Sequence, residues 1–189
     1  MIWAFDIETG PLDPEEIEKI APEFEPGEVK TGNITDLKKI AEKVSGARSN
    51  QSEKIMISKF WSAALSAYND GNILAGHNIK NFDLPYLVRR SFKLGLCVPS
   101  ELRPERSRFW PYFFFDTMEE WSMGDNQRRI SLDRLARHLG LEGKSGSGKG
   151  FSKLYQSDQA AALDYLKQDL KVSASVAEAL AITLGKKIR

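Results

Sequence analysis

Cysteine is almost absent. Cys97 is the only one among 189 residues, which excludes a disulfide framework and a cysteine-built zinc site. Histidine is nearly as scarce, and His77 and His138 are too few for a histidine-rich metal centre. An excess of one charge is also missing. The 27 basic and 26 acidic side chains leave a net charge of +1, which excludes a histone-like tail or a wholly basic nucleic-acid coat. No apolar run reaches about 18 residues, so no segment is predicted to span a membrane. The chain opens on a strand-like run, without a basic region or a signal-type apolar segment. The expectation is a soluble, intracellular protein, cytoplasmic in location.

What is present is an ordinary globular composition. With 41% hydrophobic residues, the chain is read as a single domain over 1–189, long enough to bury a core. Its charges are unevenly spread. Residues 1–60 carry twelve acidic and eight basic side chains, whereas nine of the eleven arginines fall between Arg89 and Arg137. A local basic face on a neutral protein suits a polyanionic partner, and a merely solvated surface is the alternative.

Met1–Ile7 reads as a strand apolar on both faces, hence from the middle of a sheet. Residues 11–33, rich in Pro, Gly and Glu, read as loop with at most one short helix. Helical pattern covers Asp36–Val44, and Ser45–Ser52 is polar and expected to be mobile. Ile55–Tyr68 is a helix with Ile57, Phe60, Trp61, Ala64, Leu65 and Tyr68 at helical spacing. Asn72–Gly76 is a short buried strand and Leu84–Leu94 a helix with Pro85 in its first turn. Pro99–Pro111 is an Arg- and Pro-rich loop, followed by an aromatic strand over Tyr112–Asp116. Ser131 is expected to cap a helix to His138 that Gly140 stops. Lys144–Gly150 is a Gly/Ser loop, and Ser157 is expected to cap a last helix through about Leu184. Strands interleaved with helices predict an α/β sandwich.

Three places carry chemistry. In Phe5-Asp6-Ile7-Glu8-Thr9, strand alternation puts Asp6 and Glu8 on one face. Two carboxylates leaving a buried strand call for a cation, commonly a divalent metal, the alternative being a solvated strand end. In His77-Asn78-Ile79-Lys80-Asn81-Phe82-Asp83, a strand passes into a helix with Asp83 at its start, either as a functional acid or as a cap. His77 is expected to be packed or to support a neighbouring group. In Tyr165-Leu166-Lys167-Gln168-Asp169, Tyr165 and Asp169 are i and i+4. They border an apolar stripe of Leu163, Leu166, Leu170, Ala177, Leu180 and Leu184, so Asp169 is partly turned inward or, alternatively, an exposed acid.

In order, acid-x-acid, Asn-x3-Phe-Asp and Tyr-x3-Asp resemble the motifs of the DEDD superfamily of 3′–5′ exonucleases. Position 164 is Asp rather than His, which places the resemblance in the tyrosine branch. It is most similar to the proofreading exonuclease domain of family B DNA polymerases and its small polymerase-free relatives. The segment Gly140-Leu141-Glu142-Gly143-Lys144, and then Lys153-Leu154-Tyr155, is similar to what these relatives carry before the last motif. The resemblance implies a ribonuclease-H-like fold, a central mixed sheet flanked by helices. The hairpin of a second and third strand that normally follows the first is not visible. Residues 10–54 read instead as an atypical loop and helix insertion; Ile55-Met56-Ile57, which merges into the next helix, is the sole candidate for a strand remnant, so either the sheet is reduced or a strand is hidden in a weak pattern.

The resemblance further implies that Asp6, Glu8, Asp83 and Asp169 hold two magnesium or manganese ions, and that Tyr165 orients the attacking water. The expected reaction is hydrolysis of single-stranded DNA from its 3′ end to 5′-mononucleotides, with RNA or short oligonucleotides as alternative substrates. Ile7 and Thr9 would line the terminal pocket, Asn78 would bond the penultimate nucleotide and Phe82 would wedge against a base. Arg103, Arg106 and Arg108 beside Trp110 have the basic–aromatic mixture of a single-strand groove. Lys144 and Lys149 are candidate phosphate contacts on a loop that otherwise simply connects. That loop nearly fits a phosphate-binding P-loop, but Gly150 stands where Ser or Thr must reach magnesium. DNA repair is one setting such an activity would serve. The competing readings are a nucleic-acid-binding module with lost catalysis and an endonuclease that cuts internally.

Overall fold

The computed structural model describes residues 2–5, 37–104, 109–123, 125, 128–143 and 151–186. Three short strands, β1 (Ile2–Ala4), β2 (Ile73–Gly76) and β3 (Phe114–Asp116), form a sheet in the order β1-β2-β3. Both pairings are parallel, with Ile2 opposite Ile73 and Leu74 opposite Phe114. Among the described residues the central strand is therefore β2. Parallel neighbours need crossovers, which here are helical.

Alternation along the strands sorts their side chains into two cores. Leu74 and Phe114 point into a cluster with Ile57, Trp61, Leu84 and Leu102. Ala75 and Phe115 point the other way, onto Leu135, Val172, Val176 and Ala177. A sheet buried on both faces explains why its strands are almost purely apolar.

The first face is covered by α1 (Leu37–Asn69) and α2 (Asp83–Leu94). The helix α1 runs through without interruption. It corrects the expectation of a mobile polar stretch at Ser45–Ser52, and it contains the helix expected over Ile55–Tyr68, so Ile55–Ile57 is helix and not a strand remnant. Adding a residue to an existing helix is far easier than starting one, so the helical segments on either side carry through a weak middle. The Trp61 indole N–H donates to Ser91 Oγ at 2.9 Å, and Arg90 forms a two-pronged ion pair with Glu53, which tie α1 to α2.

After a 3-10 turn at Ser100–Leu102, strand β3 leads directly into a short helix α3 (Thr117–Ser122) that the pattern did not predict. The next helix, α4 (Leu132–His138), starts as expected with Ser131 Oγ accepting from the Arg134 amide, and Gly140 follows it at φ 73°. The C-terminal region holds two helices, α5 (Phe151–Ser157) and α6 (Gln159–Thr183). The cap of α6 is Asp158, whose carboxylate accepts from the Ala161 amide at 3.0 Å. Ser157, expected in that role, instead donates to the Leu154 carbonyl. Helix α6 packs on β1, β2, α3, α4 and α5 and covers the second face of the sheet.

Candidate active site

All strands of a parallel sheet end on the same edge, and ligands bind there in open α/β folds. Here that edge receives the exit of β1 at Phe5, whose amide donates to the Ala75 carbonyl at 3.0 Å, the exit of β2 at Gly76, and Asp116 at the end of β3. Gly76 is required by close approach. A Cβ there would meet the Ile79 side chain and lie 2.8 Å from the Phe5 carbonyl oxygen. The two motif-bearing chain exits thus run directly against each other. Asp6, Ile7, Glu8 and Thr9, which follow Phe5, lie outside the described residues.

The chain from β2 to α2 is held by an acid at the end of β3. Asp116 is fully buried, and its carboxylate accepts from the Asn78 amide at 2.8 Å and the Lys80 amide at 2.9 Å. It also accepts from Met118 at 3.0 Å and Glu119 at 3.5 Å, so one side chain caps α3 and clamps the 78–80 turn. Asn78 adopts the left-handed region at φ 65°, which Asn tolerates better than most residues. Its carbonyl accepts from the Asn81 and Phe82 amides, and its side-chain oxygen accepts from Asn81 Nδ2. His77 is a packed residue, as expected. Its Nε2 faces the Ile130 carbonyl at 2.8 Å and so carries the proton, while Nδ1 lies 2.9 Å from the Thr117 hydroxyl.

This turn delivers two contrasting neighbours. Phe82 is exposed, whereas Asp83 is only 2% exposed. Asp83 is the first residue of α2, and Phe82 at the cap position before it makes no side-chain hydrogen bond. A carboxylate buried at a helix start has the positive end of the helix dipole nearby.

The third motif is more deeply buried than expected. The buried positions of α6 are Ala162, Asp169, Val172, Ser173, Val176, Ala177, Leu180 and Ala181, and Asp169 is 0% exposed. Leu163 and Leu184, expected on the apolar stripe, are exposed. The inward face is rotated toward the small residues, and Asp169 lies within it rather than at its border. Tyr165, one turn earlier, is half-buried with its hydroxyl enclosed, and its ring meets Phe151 of α5 at 6.2 Å between centroids.

The other expected contacts divide. Trp110 is half-buried on the first core, with its indole N–H donating to the Lys80 carbonyl at 3.1 Å and its ring edge-on to Phe114. Arg103 is exposed after the 3-10 turn. Arg106, Arg108, Lys144 and Lys149 lie outside the described residues. Among the described residues, no three His, Cys, Asp or Glu side chains converge on a common point. No helix there is long and apolar enough to cross a membrane.

Comparison with known proteins gives a family. Residues 28–172 match the profile of predicted 3′–5′ exonucleases related to the exonuclease domain of PolB. The chain belongs to this family. The portion shared with the PolB-related exonucleases contains Asp83, Tyr165 and Asp169 and begins after Asp6 and Glu8. Membership in this exonuclease family brings a nucleic-acid substrate with it, and the α/β architecture with a small parallel sheet is compatible with such a domain. No curated protein and no solved structure matches the chain.

Proposed function

We propose that the protein is a metal-dependent 3′–5′ exonuclease of the tyrosine branch, on a ribonuclease-H-like fold, which removes 5′-mononucleotides from single-stranded DNA. The observation that carries this reading is Asp169, a carboxylate at 0% exposure inside the apolar face of α6, with Tyr165 one turn before it. Burying a carboxylate is costly unless it is paired, and buried acids beside a second polar group are characteristic of functional sites. Asp83, also buried, opens the helix that follows the central strand, and the Phe5 carbonyl, just before Asp6 in the chain, lies against Gly76 at the end of that strand.

The donor set fits a hard divalent ion. Asp6, Glu8, Asp83 and Asp169 offer oxygen only, and His77 is committed to Thr117 and Ile130. Bound magnesium or manganese would supply an activated water and stabilise the leaving 3′ oxygen. The protein's own residues do the remainder. The four carboxylates would hold the ions that neutralise the reacting phosphate, and Tyr165 orients the attacking water. A phenol is a poor base, so its part here is to hydrogen-bond the water rather than to take its proton. Phe151 restrains the Tyr165 ring. Phe82, exposed beside buried Asp83, offers a stacking face to the terminal base.

The test uses a 5′-labelled single-stranded DNA, a matched RNA and a 3′-phosphorothioate-blocked DNA, in magnesium, manganese or EDTA. The expected result is a one-nucleotide ladder shortening from the 3′ end, faster on DNA, absent in EDTA and absent for Asp169→Asn. Cleavage of the blocked strand would mean an endonuclease, and binding without cleavage in any metal would sink the catalytic reading. In the same preparations, magnesium or manganese should raise the unfolding temperature of the wild type and not that of Asp169→Asn, because a ligand stabilises only the state that binds it.

A further inference from the structure

Beside the turn that delivers Asp83 lies an open cavity of about 830 Å³. One wall is the segment Phe109–Tyr112, another is α3 with Met123, and the floor includes Lys80 and Asn81 from the turn itself. We propose that this cavity holds an unpaired nucleotide of the substrate strand, upstream of the 3′ end being cleaved. The inference rests on the exonuclease reading and names the part of the substrate that the second site takes.

Two features define the ligand. The first is exposed aromatic surface. Tyr112 is 95% exposed and Phe109 is 75% exposed, yet both face the same concavity. Flat π faces without buried partners suit stacking on bases, which is indifferent to sequence. The second is cationic surplus. Lys80, Arg129 and Lys186 line the cavity against Glu119 and Glu120. Both glutamates are already ion-paired, Glu119 with Lys80 and Glu120 with Lys186, while among the described residues no carboxylate pairs with Arg129. A base with its phosphodiester answers both features at once, and an apolar protein segment answers only the first.

The cavity is also mechanically joined to the candidate catalytic turn. The amide of Lys80 donates to Asp116, its carbonyl accepts from Trp110 Nε1, and its ammonium pairs with Glu119. Lys80 is thus fixed at three points, and Asp83 follows three residues later on the same turn. A nucleotide seated in the cavity lies against the segment that carries Phe82 and Asp83.

Binding of the full chain would be followed by fluorescence anisotropy in EDTA, so that cleavage plays no part. The probes are 5′-labelled oligodeoxythymidylates from a dinucleotide to about twelve nucleotides, and an abasic strand of the greatest length. Tyr112→Ala, at a position too exposed to disturb folding, should weaken the longest base-bearing strand about tenfold. The loss should grow with strand length, be smaller on the abasic strand, and be restored by Tyr112→Phe. Arg129→Ala should weaken the base-bearing and abasic strands alike. Should both alanine variants bind every strand as the wild type does while the ladder still forms, the cavity proposal fails and the exonuclease reading stands. Length-dependent loss without cleavage in any metal leaves the cavity standing and removes the exonuclease reading. A change in particle mass by light scattering for Tyr112→Ala, with strand binding unaltered, would make the cavity a protein contact and overturn the proposal.

Discussion

Asp169 occupies a position where an amphipathic helix normally carries leucine or valine. Its neighbours on the inward face of α6 are Ala162, Val172, Ser173 and Val176. Asp169→Asn removes the charge at nearly constant volume and keeps one acceptor oxygen. It should abolish nuclease activity while changing stability by no more than about 1–2 kcal/mol, read from urea unfolding in EDTA. A marked loss of stability would show that the carboxylate serves the fold instead. Tyr165→Phe removes one hydroxyl and keeps the contact with Phe151. Turnover should fall about tenfold to a hundredfold with KM little altered, since the hydroxyl acts on the water and not on the strand. Rates on a labelled oligonucleotide at several concentrations separate the two constants.

At the level of elements, the segment linking β2 to α2 depends on Asp116, which serves four backbone N–H groups at once. Asp116→Ala should cost about 2–4 kcal/mol in chemical unfolding, and turnover should fall along with it because Asp83 sits on the released segment. Asp116→Asn keeps one acceptor oxygen and should recover part of both. The docking of α1 on α2 has its own pH signature. Hydrogen bonding to Glu53, ahead of any other influence, raises the Arg90 guanidinium above its already high ordinary value. A raised folded pKa gives stability that is complete below the unfolded value and is lost only as pH climbs through the folded one. Alkaline titration to about pH 10 should therefore leave this docking intact by tryptophan fluorescence, with Trp61 as the reporter.

Motif residues were legible in the sequence because their spacing is local: Asn78 to Asp83, and Tyr165 to Asp169. The role of Asp116 was not, because two of its partners are amides 36 and 38 residues away. The strands at Ile73–Gly76 and Phe114–Asp116 were visible as apolar runs, α2 by Pro85 in its first turn, and α4 by its Ser131 cap and the Gly140 stop. The inward face of α6 was misjudged because leucines were weighed more heavily than alanines. A helix lying close on a sheet favours small residues such as Ala162, Ser173, Ala177 and Ala181. Short helices such as α3 and α5 carry too little pattern to announce themselves.

For the molecule as a whole, a net charge of +1 leaves little long-range attraction for a polyanion. Strand binding must come from a few placed cations and from stacking. If Arg129, the lining cation that no described carboxylate pairs, meets one phosphate, Arg129→Ala should make the slope of the logarithm of the binding constant against the logarithm of salt concentration shallower by about 0.7. An unchanged slope would take Arg129 off the strand. The parallel sheet accounts for how residues from distant parts of the sequence reach one edge, which is also why α/β class could be read from the order of elements while register could not.

The same register has a consequence for how the chain is made. Ile2 pairs with Ile73, so β1 meets this neighbour only after roughly seventy further residues have been added. At about 5–20 residues per second that is an interval of several seconds. During it β1 has neither of the other described strands to join, and the helix Leu37–Asn69 is synthesised in between. Folding during synthesis is thus bound to a late closure of β1 on β2, and slowing translation near Ile73 would lengthen the exposure of β1 to chaperones and proteases.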